Sequence, residues 1–203
     1  FHSDMTQAIG KVSVNFHDVD LASMSAHKIF GPKGIGFLYK SSMVKITPLI
    51  YGSGKSNDLK PGTQPLPLIA ALSKAVRLAC TDLEKRERFV TLLNEKIVGN
   101  LEKYPNIKIN KTKYSIPHIL NISVLNVMPE TLIHSLDKHE IYVSTNTACA
   151  SGEISHSVMA FYNDNKRAKH TIRISISHVT TTEEINKFLS AFKEEYEKLT
   201  SIR

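Results

Sequence analysis

The chain has 203 residues, 41% of them hydrophobic and 22% charged, with a formal net charge of +7. That is enough apolar material for one sizeable core or two small ones, and it excludes a disordered or fibrous chain. No apolar run approaches the ~20 residues of a membrane-spanning helix, and the basic charge is spread over scattered lysines with no nucleic-acid-binding motif among them, as on a solvated surface.

The opening third reads as strands and turns. Apolar residues alternate from Lys11 to Phe16, which predicts extended chain, and Asp20 to Ser25 predicts a strand running into a loop. Gly31-Pro32-Lys33-Gly34 is a turn, and Ile35 to Tyr39 a second short strand. Two strands around that turn put Lys28 at a strand end, where a side chain can face a cleft. Residues 51–67 carry Pro61, Gly62, Pro65 and Pro67 after Gly54 and read as a long loop. Helical periodicity follows from Leu68 to Leu101, as two helices meeting near Thr81-Asp82, with Thr81 or Asp82 capping the second and Glu84 in its first turn. Short elements then alternate between strand and helix: strands at Ile107–Ile109 and Ile119–Val124, a helix at Pro129–His139, strands at Ile141–Val143 and His170–Ser177, and a closing helix from Thr182 to Leu199. This mixture predicts an α/β fold with a boundary near residue 83, dividing a Gly/Pro-rich part, 1–83, from a small α/β unit, 84–203.

The two cysteines, Cys80 and Cys149, form neither a disulfide framework nor a zinc pattern, which points to a reducing, cytoplasmic setting. Cys80 ends a helical apolar run, predicting a buried, inert thiol. Cys149 sits among Ser, Thr, Asn, Ala and Gly, as in a loop. Gly54-Lys55-Ser56 lacks the earlier glycine of a phosphate-binding loop, since position 49 is Leu. His134 and His139 are wrongly spaced for one metal-binding helix face and read as solvated or capping residues. His156, His170 and His178 read as structural. The densest chemistry lies in Ser25-Ala26-His27-Lys28 before the Gly31 turn. An amine beside a hydroxyl and an imidazole suits carbonyl chemistry and phosphate binding. Arg173 lies between Ile172 and Ile174 and therefore faces away from them.

Asp4-Met5-Thr6-Gln7, then Ser25-Ala26-His27-Lys28 with Gly31-Pro32-Lys33-Gly34, then Lys60-Pro61-Gly62-Thr63, the Ser144 to Ser151 loop around Cys149, and Thr171-Ile172-Arg173-Ile174-Ser175 stand in order along the chain. This series resembles the class V aminotransferase-type enzymes, and most closely cysteine desulfurases of the NifS/IscS kind. The resemblance implies the C-terminal part of a fold type I pyridoxal-phosphate-binding large domain, 1–83, followed by a small α/β domain, 84–203, carrying the catalytic cysteine loop. It implies pyridoxal 5'-phosphate as cofactor, held covalently by Lys28, with Asp4 on the ring nitrogen, Gln7 on the phenolic oxygen, and Ser25 and His27 on the phosphate. Thr63 would reach the phosphate of a neighbouring subunit, so the full-length form would be a homodimer. Arg173 would hold the carboxylate of L-cysteine, and Cys149 would take its sulfur as a persulfide, with Lys166, Arg167, Lys169 and Arg173 as the basic side chains that would favour a thiolate. Sulfur would pass to an acceptor protein, a scaffold for iron–sulfur clusters or an enzyme of RNA thiolation.

The chain departs from the family's pattern at several points. The family usually has Gly where this chain has Ala26, a change that matters only if the position needs φ > 0. Lys60-Pro61 replaces the usual residues before Gly62-Thr63. The family's N-terminal half, which supplies further cofactor contacts, has no counterpart here, and the chain reads as a fragment or a processed product. Cys149 argues against an aminotransferase, which needs no thiol there, whereas a selenocysteine lyase fits equally well. A reading of another class, a basic non-enzymatic module binding RNA or a protein, rests on the charge alone.

Overall fold

A computed structural model describes residues 1–52, 59–145 and 154–201 of the chain. It divides into two units, Phe1–Lys85 and Arg86–Arg203. Each has a three-stranded sheet and a core of its own.

In the first unit β1 (His2–Asp4) pairs in parallel with β2 (Leu21–Ser25), placing Asp4 opposite Ser23. β3 (Gly36–Lys40) runs antiparallel to β2, with Gly36 opposite Ser25. Ala22 and Met24 alternate inward along β2. Met24, Ala26, Ile9 and Ile29 meet Leu72, Ala75 and Ala79 of α1 (Leu66–Cys80) in a small core. The chain leaves β2 through one 3-10 turn, Ala26–Ile29, which carries Lys28 and ends on Phe30 in the left-handed region. This turn lies hard against α1. A Cβ on Gly31 would sit 2.9 Å from the Ala26 Cβ and 3.1 Å from the Ala75 Cβ. A Cβ on Gly36 would fall 2.2 Å from the Met24 carbonyl oxygen, so β3 reaches the end of β2 only because that residue is glycine.

Several sequence expectations change in this unit. Lys11 to Phe16 is not a strand: Ile9 and Val12 hydrogen-bond back to Met5 and Ala8, and Asn15 caps the 3-10 turn Phe16–Asp18. Local polar bonds there displace the alternating pattern. The strand His2–Asp4 is additional. α1 starts at Leu66, two residues inside the expected loop, with Pro67 in its first turn, where no amide hydrogen is needed. Cys80 is exposed, not buried. Leu72, Ala75 and Ala79 make the inward stripe of α1, and a step of one residue turns Cys80 about 100° away from it. Thr81 closes α1, its hydroxyl donating to the Arg77 carbonyl, and Asp82 is left-handed with φ 53°. Ala26 is fully buried and is not among the positive-φ residues, so its methyl fills core where the family has glycine.

The second unit is built on the antiparallel sheet β4 (Ile107–Asn110), β5 (Ile119–Val124) and β6 (Thr171–Ser175). Both strand pairings in this sheet are antiparallel. Ile107, Leu120, Ile122, Val124, Ile172 and Ile174 share one face. The core they form also holds Val90, Leu93 and Ile97 of α2 (Leu83–Leu101), Leu132 and Leu136 of α3 (Pro129–Asp137), and Phe188 and Phe192 of α6 (Thr182–Ser201). The other face is polar and carries Asn110, Asn121, Ser123 and Arg173. Ile141–Val143 is not a strand; only Ser144 makes a bridge, to Arg173. Two short helices, α4 (His156–Tyr162) and α5 (Asn165–Lys169), stand where no element was assigned from sequence. Each is nucleated by a cap, Ser155 accepting from the Val158 amide and Asp164 from the Arg167 amide. His139 is not a solvated or capping residue: it is half-buried, and its Nε2 lies 3.0 Å from Glu195 Oε1, a hydrogen-bonding contact. No helix among the described residues is long and apolar enough to cross a membrane.

Two outcomes follow for stability. Gly31→Ala must push the Lys28 turn off α1, and chemical denaturation should show a loss of about 1–3 kcal/mol; an unchanged midpoint would contradict the close packing. The His139 hydrogen bond holds the Glu195 carboxyl below the usual glutamate range. A carboxylate whose folded pKa is lowered contributes stability that is complete above the unfolded value of about 4.3 and is lost as pH falls through the folded value. Stability measured by urea unfolding should therefore decline below about pH 4.3, and His139→Ala should flatten that decline while lowering stability above it. Parallel pH profiles for the two proteins would refute the coupling.

Candidate functional site

Parallel pairing puts the C-terminal ends of β1 and β2 side by side, and four of the expected cofactor residues lie at or just beyond those ends. Asp4 ends β1, Ser25 ends β2, and His27 and Lys28 occupy the next turn, both exposed. Ligands gather at such carboxyl ends because the chain leaves the sheet there and frees side chains to converge. Thr6 ties the group together. Its amide donates to Asp4 Oδ1 at 2.9 Å, and its hydroxyl accepts from the Ser25 amide at 3.2 Å. Hydrogen bonds from the Thr6 side chain and backbone hold the Asp4 carboxyl below the usual carboxylate range. The Met5 amide extends the strand pairing by donating to the Ser23 carbonyl at 2.9 Å.

Gln7 follows on the turn after β1, and its Oε1 accepts from Lys11 Nζ at 2.5 Å. Burial, and then the charge of Lys28, push the Lys11 amine below the usual lysine range. Lys11 therefore links Gln7 to the electrostatic surroundings of Lys28. Thr63 is exposed in the segment before α1.

Arg173 belongs to the second unit. It is half-buried on the polar face of β6, pointing away from Ile172 and Ile174 as its position between them requires. Its Nε is buried and has no hydrogen-bond partner among the described residues. It lines a cleft of about 270 Å³ with Asn110, Asn121, Ser155, Phe161 and Tyr162. Its backbone pairs with Ser144, amide to carbonyl at 2.6 Å and carbonyl to amide at 3.2 Å. Cys149 lies outside the described residues, as does Gly54-Lys55-Ser56. Of the basic residues that follow Cys149, Arg167 is already engaged with Asn110 and the Ile109 carbonyl, while Lys166 and Lys169 are exposed.

Sequence reasoning assigned no role to Thr6, Lys11, Asn110 or Asn121. Lys11 sits four residues after Gln7, a spacing that brings the two together across a turn, and Asn121 interrupts the apolar run of β5; these were the available signals.

Residues 1–188 match the aminotransferase class-V family. The chain is 37% identical over 210 residues to a "NifS/IcsS protein homolog" of Lactobacillus delbrueckii subsp. bulgaricus, covering 100% of this chain and 54% of that protein. It is 36% identical over 197 residues to the cysteine desulfurase IscS of Clostridium botulinum, covering 93% and 50% respectively. A solved NifS-like protein superposes with a TM-score of 0.83 at 35% identity, over 97% of this chain and 52% of that one. The chain spans about half the length of the curated relatives it matches. It therefore has the α/β fold of one half of a NifS-like protein, and it belongs to the aminotransferase class V family.

Proposed function

We propose that this chain provides the C-terminal half of a pyridoxal-phosphate-dependent cysteine desulfurase, which converts L-cysteine to L-alanine and leaves sulfur on the enzyme. In this reading residues 1–83 are the end of the large cofactor-binding domain, and 84–203 the small domain with the cysteine loop. The observation that carries it is the placing of Asp4 and Ser25 at the neighbouring C-terminal ends of β1 and β2, joined through Thr6, with His27 and Lys28 on the turn that follows. That donor set suits the cofactor: a carboxylate for a protonated ring nitrogen, a hydroxyl and an imidazole for a phosphate, and an amine for an aldehyde.

When bound, pyridoxal phosphate supplies an electron sink next to the substrate Cα. The chain's own residues do the rest. Asp4 holds the ring-nitrogen proton in place. Gln7, oriented by Lys11, binds the phenolic oxygen. Lys28 Nζ would hold the cofactor's aldehyde carbon and would move the proton at the substrate Cα. Arg173 receives the substrate carboxylate through a planar guanidinium that can hold both oxygens. The Cys149 thiolate attacks the substrate sulfur; the S–S bond forms as the C–S bond breaks, its electron pair stays with carbon, and protonation there completes L-alanine. Cys149 carries the persulfide to an acceptor protein of iron–sulfur cluster assembly or RNA thiolation. Thr63 completes a phosphate site in the partner subunit of a homodimer, and the enzyme works in the cytoplasm. The choice of desulfurase over aminotransferase is supported by the presence of Cys149 in the sequence, a thiol an aminotransferase does not need.

The test uses the protein at the full length its gene encodes. Lys28→Ala should abolish the visible absorbance of the bound cofactor. Cys149→Ser should keep that absorbance and lower sulfide release from L-cysteine by about a hundredfold or more. Full activity of Cys149→Ser would defeat the desulfurase reading and leave the cofactor reading standing; unchanged absorbance in Lys28→Ala would defeat both.

A further inference from the structure

The polar face of the second sheet is organised from one end to the other. Arg167 is its fixed point. The Nε of Arg167 donates to Asn110 Oδ1 at 2.6 Å, Nη2 donates to the Ile109 carbonyl at 2.8 Å, and the guanidinium lies 3.4 Å from the centre of the Tyr162 ring. The Tyr162 hydroxyl is held in turn by the Lys111 carbonyl at 3.0 Å.

A guanidinium can only donate, so the atom of Asn110 facing Arg167 must be the oxygen. The Asn110 amide nitrogen is thereby turned the other way. It donates to Asn121 Oδ1 at 2.6 Å and to Ser123 Oγ at 2.7 Å, and Ser123 Oγ donates onward to the Arg167 carbonyl at 2.8 Å. The same logic carries one strand further: with Oδ1 of Asn121 taken up by a donor, its Nδ2 is the group left for a ligand. Asn121 stands directly opposite Arg173 in the pairing of β5 with β6, so the two share the polar face. Both line the cleft of about 270 Å³, and among the described residues no acidic side chain lines it. The buried Nε of Arg173 has no hydrogen-bond partner among the described residues.

We propose that Asn121 is a second donor to the carboxylate that Arg173 receives, and that Asn110 and Arg167 are positioning residues that fix the direction of its amide. This rests on the reading of Arg173 as the carboxylate-binding residue and extends it: the chain recognises an α-amino acid carboxylate with a charged fork and a neutral amide side by side. A carboxylate accepts several hydrogen bonds, and one from an amide already locked in direction loses little rotamer freedom on binding.

The experiment is calorimetric titration of the full-length, cofactor-loaded protein with L-alanine, and with ethylamine, which lacks the carboxylate. Asn121→Ala should weaken L-alanine about tenfold or more and leave ethylamine within about twofold. Asn110→Ala should do the same through the freed Asn121 amide, to a smaller extent. Thermal melting shows whether each variant is folded, and Asn121→Ser, which is polar but too short to reach the ligand, replaces Asn121→Ala if the latter melts early. If Arg173→Ala weakens L-alanine and folded Asn121 variants do not, the inference fails and the reading of Arg173 survives. If neither substitution matters to L-alanine, the reading of Arg173 fails and takes the inference with it. Equal weakening of L-alanine and ethylamine would also overturn it, because the effect would not be directed at the carboxylate.

Discussion

The parallel pairing of β1 with β2 is the constraint on which the first unit depends. Asp4 and Ser25 are 21 positions apart in the sequence, and only the register that sets Asp4 opposite Ser23 brings them to one sheet edge. Thr6 turns that proximity into a connected group by bonding to both. The Lys28 turn begins where β2 ends and is held from behind by α1, where Ala26, Gly31 and Ala75 are small enough to let helix and turn touch. A short turn depends on such backing, since it has little internal hydrogen bonding of its own to resist displacement.

The second unit solves a different problem with the same economy. Its sheet is apolar on one face and polar on the other, so burying the isoleucines of β5 and β6 against α2, α3 and α6 leaves Asn121 and Arg173 on the opposite side. One residue of slip in either pairing would exchange the faces and bury the arginine in the core. Core packing therefore sets the direction of the polar groups, and the donors-only chemistry of Arg167 then sets the direction of each amide along the row. Structure and recognition are joined in these few residues.

Much of this was legible in the sequence, for identifiable reasons. β5 and α6 are long and strongly periodic, and the pattern located them closely. The position of Lys28 just past a strand end was legible because a Gly/Pro turn follows it, and the direction of Arg173 because alternation in a strand fixes which way it points. Short elements escaped: β1 has three residues, and α4 and α5 have seven and five, too few for periodicity, so that caps and tertiary contacts decide them. Cys80 was misplaced because an apolar run in a helix does not say where its inward stripe ends. Thr6 and Asn110 could not be read at all, since their importance lies in bonds to residues 19 and 11 positions away.

The central claim is that the amine of Lys28 is the one presented to an aldehyde at the edge of the first sheet. Borohydride reduction of the full-length protein loaded with pyridoxal phosphate, followed by mass mapping of its peptides, tests this directly. The account predicts the cofactor's added mass on Lys28. The same mass on Lys11 or Lys33, or on no lysine of this chain, would contradict it.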